Sequence, residues 1–291
     1  MRFALVLLCL LVSSCKLVIP DTDLTQFSPT PTASPIQSGI VDKVTGMVDS
    51  RSQPGNLWVI QGEGSSSALT LIGHDGTLKG RVNVPRFGNR DWSDLAIGPG
   101  PADGVNYLYI GEIGDHNLQN EISQVYRLPE PGSLQSTISQ IERINFRYPD
   151  FPQDAKTFLV DPQTKDIFIF TNRNPNVQIY RLPYPQNINE ITVAQSLGEL
   201  VVGLTVTGAA ISTDGTELLI RNYGQGFYWK RRANQTIDDL VQRTVGRNAP
   251  MASEAKGEAI CFDKDGDGYF TLSQRNSSAP VNLYYFKKLT R

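Results

Sequence analysis

The chain has 291 residues, with 27 Lys and Arg against 29 Asp and Glu and a formal net charge of −2. Charges of both signs are interspersed and there is no basic stripe, so nucleic-acid binding has no support. No apolar run is long enough to span a membrane, the short one at residues 3–12 included.

The first residues, MRFALVLLCLLVSSC, have the form of a bacterial lipoprotein signal. Arg2 supplies the positive charge and Phe3 to Val12 a short apolar core, while Val12-Ser13-Ser14-Cys15 resembles a lipobox. Residues 1–14 are therefore expected to be a signal peptide, with Cys15 as the lipidated residue that anchors the protein to a membrane without threading through it. Residues 15–38 are rich in Pro, Ser, Thr and Gln, a composition that buries too little apolar surface to offset its ordering entropy, and they read as a spacer. Residues 39–291 are expected to form a single domain. With Cys9 in the signal and Cys15 in the lipobox, only Cys261 remains in the mature domain, where it reads as a small buried apolar residue.

Five times the domain repeats one pattern: a short apolar segment with an acidic or glycine lead-in, a turn, then an aliphatic-aromatic strand. The segments are TGMVDS–LWVIQ, DWSDLAIGP–YLYIGEIGD, DAKTFLVDP–IFIFTN, TGAAISTDG–LLIRNYG and GEAICFDKDGDG–YFTLSQ. Their first strands begin near Met47, Leu95, Phe158, Ala210 and Ile260, at spacings of about 48, 63, 52 and 50 residues, which suit four-stranded propeller blades. Third strands are predicted at 69–72, 124–128, 177–182, 226–230 and 281–287, and weaker fourth strands at, for instance, 143–148 and 190–194. HDGT, DPQTKD, TDGT and DKDGDG supply hairpin turns. The fold class is thus all-β, a β-propeller with five blades favoured; six would require an irregular blade in the long interval between the second and third repeats. The last blade runs out of chain before a fourth strand, and Gly39–Val44 is expected to supply it and close the ring.

Antiparallel strands put the loop leading into strand one and the loop leaving strand two at the same end of a blade. The lead-in loops carry Asp91, Trp92, Asp94, Asp154, Lys156, Thr207 and Glu258. The exit loops carry Glu63, Glu112, Asp115, His116, Asn172, Arg173, Asn222, Tyr223, Gln274 and Arg275. All are expected around one mouth of the central channel, where propellers form concave sites. Carboxylates crowded there raise one another's pKa or hold a cation.

The strings NRDWSDLAIGPGP, GEIGDHN, VYRLPEP, VTGAAIS and GEAICFDKDG resemble a group of secreted bacterial propeller proteins, distantly similar to calcium-dependent lactonase-like and phytase-like propellers. The resemblance covers most of the chain from about Thr45 onward. It implies lead-in loops of the form DWED, DAEA, TGAD and GEA, a ring of carboxylates. This chain keeps Asp91, Asp94, Glu112, Asp115, Asp154 and Glu258, but has Ser93, Lys156 and Ala210 where that pattern carries acids. Lys156 is expected to neutralise a neighbour such as Asp154 or Glu258 and to stand in for a metal charge.

Elsewhere, DKDGDG has oxygen ligands at Asp263, Asp265 and Asp267 in the spacing that opens an EF-hand loop, but Gln274 stands at the twelfth position. The segment lies at the end opposite the mouth and reads first as a polar hairpin turn, second as a Ca²⁺ site. His116 beside Asp115 is a candidate general base. His74 is expected to be exposed in its turn, and Arg231 and Arg232 to lie in a solvated one. The favoured function is a lipid-anchored propeller of the cell envelope, facing periplasm or exterior, whose acidic mouth binds a small molecule or a protein. The alternative is a Ca²⁺-dependent hydrolase of a lactone, ester or phosphoester, with Asp94, Asp115 and Glu258 holding the ion and a bound water attacking.

Overall fold

The computed structural model describes residues 25–85, 87–172, 176–200, 205–276 and 280–289. The signal, Cys15 and Arg173 lie outside them. Two short strands, β1 (Gln26–Phe27) and β2 (Thr32–Ile36), precede the first blade, which comprises β3 (Val44–Asp49), β4 (Asn56–Gln61), β5 (Ala68–Gly73) and β6 (Leu78–Asn83). The second comprises β7 (Trp92–Pro99), β8 (Asn106–Glu112), β9 (Ser123–Pro129) and β10 (Glu142–Arg147). The third comprises β11 (Ala155–Val160), β12 (Ile167–Thr171), β13 (Gln178–Leu182) and, after a two-residue strand β14 (Thr192–Val193), β15 (Gln195–Glu199). The fourth holds β16 (Gly208–Ile211), β17 (Glu217–Arg221) and β18 (Gly226–Lys230), then helix α1 (Ile237–Arg243) and β19 (Arg247–Ala249). The fifth holds β20 (Gly257–Phe262), β21 (Gly268–Ser273) and β22 (Val281–Leu289). The fold is a five-bladed β-propeller.

Burial explains why the repeat is legible. Blades pack face to face, so the middle strands are covered on both sides and read as unbroken apolar runs; IFIFT of β12 is buried throughout, whereas LKGRVN of β6, at an outer edge, buries only Val82. The core is divided into five apolar clusters, one in each seam between neighbouring blades. The five first strands surround a narrow central cavity of about 40 Å³, to which each contributes three consecutive residues, such as Leu95-Ala96-Ile97 and Ile260-Cys261-Phe262.

An N-terminal strand closes the ring as expected, but a segment other than Gly39–Val44 supplies it. The fourth strand of the last blade is β2, antiparallel to β22 with Thr32 opposite Tyr285 and Ile36 opposite Val281, and β1 extends the pairing from Gln26 opposite Leu289. Part of the predicted spacer is therefore structural. Residues 39–43 form the turn into β3 instead, with Gly39 at φ +85°, a region that favours glycine. Phe27 anchors the closure, meeting Tyr269 and Tyr228 edge-on at 4.8 and 5.4 Å between ring centres. Predicted strand 190–194 also changes place: Thr192–Val193 joins the second blade parallel to β10, and Gln195–Glu199 completes the third.

The segment after β18 is a further correction. Arg231 is buried, donating to Asp161 of the third blade from its two terminal guanidinium nitrogens at 2.8 and 3.0 Å; only Arg232 is exposed. Helix α1 follows. Thr236 caps it by accepting from the Asp239 N–H, two acids occupy its first turn, and Ile237, Leu240 and Val241 bury one face in the seam between blades three and four.

Candidate functional site

The first strands of all five blades begin at the same end of the channel, and side chains there tie one blade to the next. Thr45 Oγ1 donates to the Trp92 carbonyl (2.6 Å), Thr207 Oγ1 to the Gly257 carbonyl (3.0 Å), and Thr157 Oγ1 to the Asp94 carboxyl. Gly46 is required by this close approach, because a Cβ there would collide with the backbone between Asp94 and Leu95. Arg221 and Glu254, both fully buried, form a 2.6 Å ion pair across the seam between blades four and five. Sequence reasoning missed this pair, whose members lie in different blades with no local signal joining them.

Several predicted site residues are engaged in these braces. Asp94 accepts from Thr157 and from the Leu95 and Phe158 N–H groups, and burial pushes its carboxyl well above the usual range despite those hydrogen bonds. Glu112 accepts from the Arg90 N–H (2.9 Å) and the Tyr126 hydroxyl (2.7 Å). The Asp115 carboxylate closes its own loop through the Asn120 N–H (2.7 Å) and amide (2.8 Å); burial acts to raise this carboxyl, but those and other loop hydrogen bonds hold it below its ordinary value. Trp92 is fully buried in the seam between blades one and two, so it offers no surface to a ligand at the mouth. His116 is exposed and Asp115 is committed to Asn120, so no Asp–His pair is formed.

A second group converges at the mouth. Lys156 Nζ lies 3.6 Å from Asp91, correcting the expectation that it neutralises Asp154 or Glu258. Burial raises the Asp91 carboxyl, Lys156 opposes that, and the charges of Asp154 and Glu63 add to it. Gly114 packs against Asp91 so closely that a Cβ would strike its carboxylate. Asp154 accepts from the Asp115 N–H (2.8 Å) and the Asn172 amide (3.3 Å). Glu258 accepts from the Gln274 amide (2.6 Å) and the Tyr223 hydroxyl (3.4 Å), with Lys256 Nζ at 3.5 Å. Tyr223 is 44% exposed; burial of its hydroxyl, then Glu258, push its pKa up to about 12, and the charge of Asp154 is also felt there. Arg275 turns away to Asp42 (2.8 Å) and the Ile36 carbonyl (3.0 Å), bracing the closure.

Among the described residues, three amide groups in these loops have a polar atom that exposes less than 1 Å² and has no protein hydrogen-bond partner: Gln153 Oε1, Asn172 Oδ1 and Asn222 Nδ2. Gln153 precedes Asp154, Asn172 bonds to it, and Asn222 precedes Tyr223. Buried polar atoms are nearly always paired, since an unpaired one costs about 1–3 kcal/mol. The sequence reading placed Asn172 and Asn222 in exit loops but did not single out Gln153.

At the opposite end, Asp263 accepts from the Asp267 N–H (2.8 Å) and the Tyr285 hydroxyl (2.6 Å), while Asp265 pairs with Lys264 (2.7 Å). His74 is only partly exposed, with Nε2 2.7 Å from Asp49. Among the described residues no three His, Cys, Asp or Glu side chains converge as a metal cluster. Neither Asp94, Asp115 and Glu258 nor Asp263, Asp265 and Asp267 forms such a group.

No family model and no curated protein matches the chain. The solved structures similar to it include the following three. Hydrazine synthase from Kuenenia stuttgartiensis is 12% identical, with 84% of this chain and 63% of that one covered and a TM-score of 0.40. A chain of a nidogen/laminin complex is 11% identical, with 85% of each covered and a TM-score of 0.44. An auxiliary nutrient binding protein from Bacteroides thetaiotaomicron is 8% identical, with 90% and 73% covered and a TM-score of 0.47. The chain thus spans under two thirds of the hydrazine synthase chain, and likeness at this level says nothing about ligand or reaction.

Proposed function

We propose that this chain is a lipid-anchored propeller of the cell envelope, facing periplasm or exterior, that binds a ligand at the acidic mouth of its channel. The observation that carries the binding reading is the convergence at one mouth of the Asp91–Lys156 pair, Asp154, and Glu258 with the half-exposed Tyr223. Charged and aromatic groups gathered at the end of a propeller channel form a concave polar site. Binding is favoured over Ca²⁺-assisted hydrolysis because two of the three carboxylates that the hydrolase needs, Asp94 and Asp115, already hold neighbouring groups. The anchor rests on the Val12–Cys15 lipobox.

A thermal-shift screen of the full chain against a metabolite library tests the binding reading. At least one compound should raise Tm, as mass action requires of a ligand specific for the folded state, and should lose that effect in a Lys156→Ala/Tyr223→Ala variant. Compounds that shift both proteins equally would place binding elsewhere. The anchor is tested by metabolic palmitate labelling, which should mark wild type but not Cys15→Ser.

A further inference from the structure

Blade four departs from the repeat. The connection from β18 to β19 carries α1, the only helix among the described residues, and lies at the end of the channel opposite the mouth. Between this connection and the end of β18 is a cleft of about 330 Å³, lined among others by Lys230, Arg232, Gln235, Asp239 and Arg243. That volume falls within the range of small-molecule pockets, about 300–1,000 Å³. Its walls are held in place by the chain around them. Arg231, between the two basic residues, is pinned by Asp161 and the Gln235 carbonyl (2.5 Å), and its N–H donates to the Thr216 carbonyl (2.7 Å). Two hydrogen bonds close the turn at 232–235, from the Gln235 N–H to the Arg232 carbonyl (3.2 Å) and from the Arg232 N–H to Gln235 Oε1 (3.1 Å). Trp229 Nε1 donates to the Thr244 carbonyl (3.1 Å) and ties the strand to the end of the helix.

The lining carries three cations, Lys230, Arg232 and Arg243, against the single carboxylate of Asp239. Arg243 is spent on Asp239 at 2.9 Å, whereas the exposed Arg232 guanidinium has no ion pair among the described residues. Lys230 lies 3.8 Å from Glu217, but that carboxylate is already held by Lys288 (2.6 Å) and the Tyr228 hydroxyl (2.5 Å). Asp214 feels the charge of Lys230 from outside the lining and is itself held by Ser212 and Thr216. Gln235 Oε1 is taken by the Arg232 N–H, which leaves its Nε2 as a further donor. The cleft therefore offers donors, two of them on charges not consumed within it. A cationic ligand would meet like charges, and a neutral polyol would leave both without a counter-charge. A carboxylate or a sulfate ester brings one negative charge. A phosphate monoester brings about −1.5 to −2 at pH 7 with three acceptor oxygens, and it matches the guanidinium fork with two parallel hydrogen bonds.

We propose that this cleft binds a small phosphate monoester, with Arg232 and Lys230 holding the phosphate oxygens and Gln235 donating a further hydrogen bond. The site is separate from the mouth and stands whether or not the mouth takes a ligand. The same group arrives on a soluble ester, such as a sugar phosphate, or on a phosphorylated lipid headgroup.

Glycerol 3-phosphate and glucose 6-phosphate are titrated by calorimetry into the full chain in phosphate-free buffer, with glycerol, glucose and sulfate as controls. Phosphatidylcholine vesicles with and without phosphatidic acid are sedimented with the Cys15→Ser chain, which lacks the anchoring thiol. Arg232→Gln and Lys230→Gln each remove one of the two charges, Lys79→Gln removes one from blade one, and circular dichroism confirms that all three fold. The expected result is one site for a phosphate monoester, weakened about tenfold or more in Arg232→Gln and in Lys230→Gln and unchanged in Lys79→Gln. Its affinity should rise from about pH 5 to about pH 7.5, as the ester loses a second proton of pKa about 6, and fall from about 50 to about 500 mM NaCl. Binding of a soluble ester assigns the free source; retention only on vesicles with phosphatidic acid assigns the headgroup, and either supports the class. Glycerol, glucose or sulfate bound as tightly as the esters would overturn the ligand. Absence of binding in both forms, equal affinity in Arg232→Gln and wild type, or an equal loss in Lys79→Gln would overturn the site.

Discussion

The two ends of the channel are built from the same repeat, yet they use their polar residues differently. At the turn end four acids are each held by two or more groups. Asp161 is held by Arg231, Gln163 and Thr164; Asp214 by Ser212 and Thr216; Asp263 by Asp267 and Tyr285; Asp49 by His74 and the Lys264 N–H. At the mouth some acids are equally tied down, but amide atoms of Gln153, Asn172 and Asn222 are left open. The difference is one of partners: residues at the turn end are held by hairpins and seams, whereas Gln153, Asn172 and Asn222 at the mouth each bury one amide atom without a protein partner among the described residues.

The largest expected effect weakens both ends alike and sets the scale. Relative to a chain that starts at Thr25, removing residues 25–36 takes away β1 and β2 and exposes the edge of β22. Urea denaturation should show a loss of about 4 kcal/mol or more, the range of severe structural lesions. At the turn end, Asp161→Ala would leave Arg231 buried without its counter-charge, and the same measurement should show a loss of about 3–5 kcal/mol.

At the mouth the sharper readout is pH. Burial raises the folded pKa of Asp94, so its contribution to stability is fully present below the ordinary carboxylate range and is lost as pH rises through the folded value. Asp91 acts in the same direction. Asp115, whose folded pKa is lowered, has the opposite sign: its contribution is present above the ordinary range and lost as pH falls. Denaturation measured from pH 4 to 8 should therefore decline less toward high pH in Asp94→Asn than in wild type. The smallest effect is expected from Lys156→Met, because the pair with Asp91 is partly exposed; a change of about 0–1 kcal/mol should accompany any loss of ligand binding.

The fold was legible because both faces of the inner strands are covered, which writes them as apolar runs such as LWVI, YLYI and IFIF between turn residues. The closing strand was not, because TASPI pairs through its backbone and buries only Ile36, so its Pro, Ser and Thr read as spacer. Strand parity was enough to assign Asp91, Asp94, Asp154 and Glu258 to one end of their blades. It could not say whether a carboxylate points at solvent or at a neighbouring blade. Asp94 bonds to Thr157, 63 positions away, and Lys156 reaches Asp91 instead of the acid two residues before it. Such pairings depend on how blades sit against each other, which no local pattern encodes. Gln153 carried no signal, since an amide becomes informative only when its burial and missing partner are known.

If binding is the task of the mouth, the partnerless amide oxygen of Gln153 does not hold the fold together. Gln153→Leu tests it most directly. Replacing an unpartnered buried amide by an apolar side chain of similar size removes a desolvation penalty, so the urea midpoint without ligand should match or exceed that of wild type. A loss of about 1 kcal/mol or more, the worth of a typical internal hydrogen bond, would show that Gln153 already serves the fold and would contradict the account.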